Sequence, residues 1–175
     1  MAETDAHESA VAIAAELVAK SPADGYTLLM ATTTLMFHPA VYPNLPYDPV
    51  NDFTSVGQLF EFPYYMVIHP SVPARNLQEL INLARAQPGK LNYATVGNGS
   101  GQHMYMEIFK TQTKTDLTHV PYKGSAQAGT DLIAGQVQVM FQGSTFTLPQ
   151  AKVGKVRVIA TTGMQIGRAS CRERV

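Results

Sequence analysis

The stretch that decides the fold is Leu91-Asn92-Tyr93-Ala94-Thr95-Val96, followed by Gly97-Asn98-Gly99-Ser100-Gly101-Gln102 and a helical run from His103. A β-like segment ends in a small, glycine-rich loop that opens a helix. The plan recurs further on. Leu117-Thr118-His119-Val120-Pro121-Tyr122 leads into Lys123-Gly124-Ser125 and a helical run from Ala126. Backbone N–H groups at a helix start lack an internal partner and carry partial positive charge, so such loops bind anions. Two of them in tandem on one parallel sheet imply a cleft for an anionic small molecule.

Outward from these units, the remaining elements can be read in turn. Residues 8–20 carry Val11, Ala14, Ala15 and Val18 at helical spacing. Pro22-Ala23-Asp24-Gly25 is a stop and turn. Residues 26–31 read as a buried strand that ends in a third small polar loop, Thr32-Thr33-Thr34. Pro39, Pro43, Pro46 and Pro49 argue against a long helix over 35–56. Short strands are expected at 56–59 and 64–68. Asn76 with Glu79 is a capping-box pattern before a helix over 77–86. Helices over 103–113 and 126–134, a strand over 136–141, a short helix over 148–152 and a last strand over 156–160 complete the reading. The alternation implies an α/β domain with a mostly parallel sheet. Ligands of such sheets bind outside the carboxyl ends of the strands, where all three polar loops lie.

Composition narrows the function classes. At 45% hydrophobic and 15% charged residues, the 175-residue chain is globular. No apolar run approaches the roughly 18 residues that span a membrane. Formal net charge is zero, which gives no electrostatic support to a nucleic-acid partner. The five histidines are scattered without metal-ligand spacing, so neither a metal nor a cofactor is expected. Residues 166–175 hold three of the thirteen Lys and Arg residues and the one cysteine. This Ile-Gly-Arg-Ala-Ser-Cys-Arg-Glu-Arg-Val string resembles a translated sequencing adapter and is expected not to be native. A genuine basic tail is the plainer alternative. No basic segment followed by an apolar one opens the chain, so any secretion signal is expected upstream of Met1.

Each candidate site residue has a plainer reading beside the functional one. Gly97, Asn98, Gly99 and Ser100 either cradle a carboxylate or form a tight turn and cap. The recurrence at Lys123, Gly124 and Ser125 sets the two readings level. Neither loop matches a nucleotide-binding glycine pattern. Thr32, Thr33 and Thr34 can donate hydroxyls or simply end a strand. Gln102 belongs to the first glycine loop. His103, near a helix start, contacts ligand or packs. Tyr122 lines the cleft or the core. Lys123 supplies a counter-charge or is a solvated lysine. Gln142 faces the crevice by topology or is an ordinary polar residue before Gly143. Ser100, His103 and Asp131 lack a nucleophile-elbow context, and paired carboxylates are missing from the loop ends. No catalytic residue is assigned: the site is built to bind and release.

Several segments together carry a resemblance over about residues 10–163. They are Pro22-Ala23-Asp24-Gly25-Tyr26-Thr27-Leu28-Leu29, Leu45-Pro46-Tyr47-Asp48-Pro49-Val50-Asn51-Asp52-Phe53, His69-Pro70-Ser71-Val72-Pro73-Ala74 and Pro88-Gly89-Lys90-Leu91-Asn92-Tyr93-Ala94. Gly97-Asn98-Gly99-Ser100 with Gln102-His103, His119-Val120-Pro121-Tyr122-Lys123-Gly124 and Ala151-Lys152-Val153-Gly154-Lys155-Val156-Arg157 complete the set. The chain resembles the substrate-binding proteins of tripartite tricarboxylate transporters, the Bug family.

The resemblance implies a type II periplasmic-binding-protein-like fold, two α/β lobes closing on a ligand. It implies a periplasmic, monomeric receptor that takes a small carboxylate, a di- or tricarboxylate or related organic acid, to membrane permease subunits. Residues 1–68 then form part of lobe one, 69–156 lobe two and 157–165 the return crossing. A secretion signal and a first strand are expected upstream. The family's ligand contacts map onto Thr32, Thr33, Gly97, Asn98, Gly99, Ser100, Gln102, Tyr122, Lys123, Gly124 and Ser125. Two departures stand out: His38-Pro39 where the family often has Asn-Pro, and Gln142 where it often has Asp, which favours simple carboxylates over amino acids. Competing classes are the ligand-sensing domain of a regulatory protein and an enzyme acting on acyl or phosphate groups.

Overall fold

The structure is a computed structural model that describes residues 5–42 and 44–163; the string assigned to adapter lies outside them. In chain order the elements are α1 (Asp5–Ala19), α2 (Thr34–Val41), β1 (Tyr65–Ile68), α3 (Leu77–Ala86), β2 (Asn92–Thr95) and α4 (Gly101–Thr113). They continue with β3 (Thr118–Pro121), α5 (Ser125–Ile133), β4 (Val139–Gln142), α6 (Ser144–Lys152) and β5 (Arg157–Thr161).

The strands form one sheet in the order β3-β2-β4-β1-β5. β2 pairs in parallel with β3 and β4, whereas β1 runs antiparallel to both β4 and β5. Four strands therefore point one way and β1 opposes them. The reason lies in the chain path: β1 enters the sheet from the N-terminal region and β5 leaves beside it. The two crossing segments are tied there. Tyr64 N donates to Thr162 Oγ1 at 3.0 Å, and Thr162 N donates to Tyr64 O at 2.9 Å.

Strand alternation sorts apolar side chains to two faces. Met66, Ile68, Tyr93, Val139 and Phe141 pack with Leu80 of α3 and Met106 of α4. Val67, Ala94 and Met140 pack on the other face with Ala128 and Leu132 of α5 and with Val156. Asn76 caps α3 as its pattern predicts: its side chain accepts from Glu79 N at 2.9 Å, while Glu79 accepts from Arg75 N at 2.7 Å. A third, smaller core joins Ala15, Leu35 and Tyr47 in the N-terminal region.

Three expectations need correction. Residues 26–31 form no strand among the described residues, and Tyr26, Leu28 and Met30 are 92%, 71% and 75% exposed. Residues 56–59 likewise form no strand, with Val56 and Leu59 exposed. Both carry apolar residues of a strand-like run, but no strand among the described residues pairs with them. The helix expected over 148–152 begins earlier, at Ser144; Pro149 sits inside it and hides its continuity in the sequence.

Candidate functional site

The carboxyl ends of β2 and β4, with the loop after β3, open on a concave pocket of about 350 Å³, a size suited to a small organic ligand. Ser100, Gly101 and Gln102 line it after β2, Gly124 and Ser125 after β3, and Gln142 and Gly143 after β4. Thr34 joins from the first turn of α2, and Phe62 and Tyr64 of the crossing segment add aromatic surface. Four helices thus begin at its rim. α5 and α6 start from glycine N-caps, Gly124 and Gly143, which have no side chain to satisfy first-turn N–H groups. No Asp, Glu, Lys, Arg or His is among the lining residues. An anion here meets helix starts and neutral donors, not a formal counter-charge.

The glycine loop is held from within. Gly97 and Gly99 adopt φ of +131° and +77°, a region that favours glycine. Ser100 Oγ donates to Gly97 O at 2.8 Å and accepts from His103 N at 3.4 Å. Gln102 Oε1 accepts from Val96 N at 3.2 Å, and His103 Nδ1 accepts from Gly99 N at 3.1 Å. Several loop N–H groups read as anion donors are therefore committed inside the loop. The open donors belong to the neighbouring helix starts and to Gln102 Nε2.

Behind the loop stands a stack of rings. His103 lies on His119 at 4.3 Å between centroids, and His119 lies on Tyr93 at 4.9 Å. Thr95 Oγ1 sits 2.6 Å from His119 Nε2 and 3.2 Å from Gly97 N, linking the stack to the loop. Burial, together with the neighbouring His103, pushes His119 down to about 4. Burial also lowers His103, so both rings are neutral near pH 7. At the far end Glu107 accepts from Tyr93 OH at 2.6 Å and from Lys110 Nζ at 2.8 Å. Burial alone would raise Glu107, but these bonds hold it below the ordinary carboxylate value.

Of the fourteen candidates, Thr34, Ser100, Gln102, Gly124, Ser125 and Gln142 line this pocket. Thr32 and Thr33 are exposed outside it, where their carbonyls accept from Leu35 N and Met36 N in the turn that starts α2. Asn98 is exposed at the tip of its loop, and Gly97 and Gly99 are buried beneath it. His103 belongs to the ring stack. Tyr122 donates to Asp131 Oδ2 at 2.8 Å, and burial, then this bond, raises its hydroxyl to about 12. Lys123 is exposed beside Gly124 and does not line the pocket. Phe62, Tyr64, Val96, Gly101 and Gly143 line it without having been picked from the sequence. Gly143 carried a signal: Gln142-Gly143-Ser144 is another strand–loop–helix junction, obscured by Pro149.

Two flanking layers on an open sheet, with helix starts gathered at one end, define an α/β domain with a pocket of small-ligand size. Comparison with known proteins gives the family. Residues 5–170 match the model for the tripartite tricarboxylate transporter family receptor, TctC, and the chain belongs to that family. A UPF0065 protein from the tcbD-tcbE intergenic region of Pseudomonas sp. (strain P51) is 34% identical over 152 residues, 87% of this chain and 45% of the relative. An R. palustris protein solved with adipate, Rpa4515, superposes with a TM-score of 0.74 at 37% identity, over 88% of this chain and 52% of that one. MatC of Rhodopseudomonas palustris, solved with malate bound, gives 0.73 at 30% identity, over 88% and 53%. The chain thus spans about half the length of the relatives it matches.

Proposed function

We propose that this chain is the ligand-holding part of a periplasmic solute-binding receptor that captures a small carboxylate and presents it to the permease subunits of a tripartite tricarboxylate-type transporter. The observation that carries the reading is the pocket itself: four helix starts, two of them glycine-capped, converge on a space lined without formal charge. Structural neighbours solved with adipate and malate support a carboxylate as the ligand class.

Residues 69–156 are assigned to lobe two, whose sheet the crossing strands β1 and β5 complete, residues 1–68 to part of lobe one with its crossing, and 157–165 to the return crossing, with 166–175 as adapter. The paired segments at Tyr64 and Thr162 are the hinge in this reading. The exposed apolar side chains at Tyr26, Leu28, Met30, Val56 and Leu59 are surface that further chain of lobe one covers. Ligand that touches both lobes favours the closed state by its differential affinity. The bound acid leaves chemically unchanged.

The test is thermal denaturation of the full chain with adipate or malate, against the uncharged diamides of the same acids. The acids raise the melting temperature saturably and the diamides do not; mass spectrometry recovers the acids intact. Equal stabilisation by acid and diamide, no stabilisation by either, or turnover of the acid contradicts the reading.

A further inference from the structure

Gly97-Asn98-Gly99 holds the one Asn-Gly pair of the chain. An asparagine side chain can be attacked by the backbone nitrogen of the following residue, and glycine there has no Cβ to hinder the ring closure. Asn98 is exposed at the tip of its loop, open to solvent water, while Gly99 is buried beneath it with φ of +77°. The nitrogen that must attack already faces a base. Gly99 N donates at 3.1 Å to His103 Nδ1, not to a carbonyl oxygen. A carbonyl takes up no proton at neutral pH, whereas an imidazole nitrogen can, and 3.1 Å is within the reach of a general base.

The imidazole is in the state that the step needs. Because Nδ1 accepts from a backbone N–H, its lone pair is available and the ring proton sits on Nε2. The titratable groups that face His103 are His119 of β3, stacked on it at 4.3 Å, Tyr93 of β2 behind His119, and Glu107 and Lys110 of α4. Glu107 Oε1 lies 3.9 Å from His103 Nε2. Burial keeps the ring neutral near pH 7, although Glu107 pulls the other way; Lys110 acts with burial. The loop is braced on its other side by Ser100 Oγ, which donates to Gly97 O at 2.8 Å, so base and nucleophile stay together.

We propose that Asn98-Gly99 is a site of self-modification, in which His103 Nδ1 acts as the base that closes Asn98 to a succinimide. Gly99 N gives its proton to Nδ1 and bonds to Asn98 Cγ. The Cγ–Nδ2 bond breaks, and the amide nitrogen leaves as ammonia with the proton that the imidazolium returns. Water then opens the ring. Attack at Cγ gives aspartate in the normal chain; attack at the Asn98 backbone carbonyl gives isoaspartate, in which the chain runs through the side-chain carbon. Either product sets a carboxylate at the tip of the loop, just before the pocket-lining Ser100, Gly101 and Gln102. The step needs no ligand and stands independently of the carboxylate reading.

The experiment is timed incubation of the full chain in neutral buffer and in guanidinium chloride, followed by tryptic peptide mass spectrometry. Asn92, half-buried in β2 and on the same tryptic peptide, is the internal reference. Deamidation is read as the mass gain of an amide exchanged for an acid, and isoaspartate by its electron-transfer fragments. The native chain loses the Asn98 amide roughly tenfold or more faster than the denatured chain, while Asn92 keeps its own. Across pH the native rate rises as His103 gives up its proton and then levels off, whereas hydroxide-driven closure climbs throughout. In His103→Gln the side-chain oxygen can accept from Gly99 N but takes no proton, and the rate falls at least to the denatured one. A native rate no faster than the denatured rate overturns the proposal. So does a native rate that climbs with hydroxide without levelling, or a folded His103→Gln that reacts as fast as the parent. Should His103→Gln fail to fold, the native-to-denatured comparison and the pH profile of the parent decide alone.

Discussion

Acidification draws stability from the ring stack that backs the glycine loop. His103 Nδ1 accepts from Gly99 N, so a protonated His103 can no longer serve as that acceptor. His119, stacked against it, falls from the ordinary 6.5 to about 4 through burial and the neighbouring ring. Its folded value lies below the unfolded one, so the unfolded chain binds the extra proton between these limits. The stability held in neutral His119 is fully present above about pH 6.5 and lost as pH falls toward 4. A drop of this size corresponds to roughly 3 kcal/mol at its limit, of which about 2 kcal/mol goes between pH 7 and pH 4.5. For a domain of this length that lowers the melting temperature by about 4–8 °C. The lowered His103 acts in the same direction. The assay is thermal denaturation by circular dichroism across this range for the parent chain and for His119→Phe, which keeps an aromatic ring but cannot titrate. The parent loses more stability than the variant on acidification. Parallel curves for the two proteins refute the reasoning.

Three further outcomes follow from single features. Gly97→Ala forces a side chain onto φ of +131° and costs about 1–2 kcal/mol, read as a lower denaturation midpoint together with weaker carboxylate binding. Asn76→Ala removes the α3 cap and costs about 1 kcal/mol, with carboxylate affinity unchanged because α3 supplies no pocket residue. The exposed apolar side chains of residues 26–30 and 56–62 bind the dye ANS in the native chain. Replacing Tyr26, Leu28 and Met30 by Ser lowers that fluorescence without lowering the melting temperature.

How legible each part was in the sequence depends on whether its signal is local. Asn76 and Glu79 lie within one turn of each other, so the start of α3 could be read directly. The two strand–loop–helix units were equally plain, because small residues after a β-like run have few other uses. Residues 26–31 misled, since a short apolar run reports strand propensity but not whether a partner strand exists. The antiparallel direction of β1 was hidden for a related reason: it follows from where the chain enters the sheet, a tertiary fact. Within the site, residue type and loop position brought out Ser100, Gln102, Gly124, Ser125 and Gln142. They could not show that Ser100 Oγ is spent on Gly97 O, or that Tyr122 is tied to Asp131. Phe62 and Tyr64 escaped notice because Tyr64 read only as the first residue of a strand and Phe62 only as the approach to it. The pairing of His103 with His119 joins residues of different elements and left no sequence spacing to find.

The central claim is that a carboxylate is held by helix starts and neutral amides without a charged side chain. A crystal structure of the full chain with adipate tests it most directly. The account predicts carboxylate oxygens within hydrogen-bond distance of first-turn N–H groups at Gly124–Ser125 or Gly143–Ser144, and of Gln102 or Gln142 Nε2. Adipate seated instead on Lys123 or another surface cation, with this pocket filled by water alone, would contradict it.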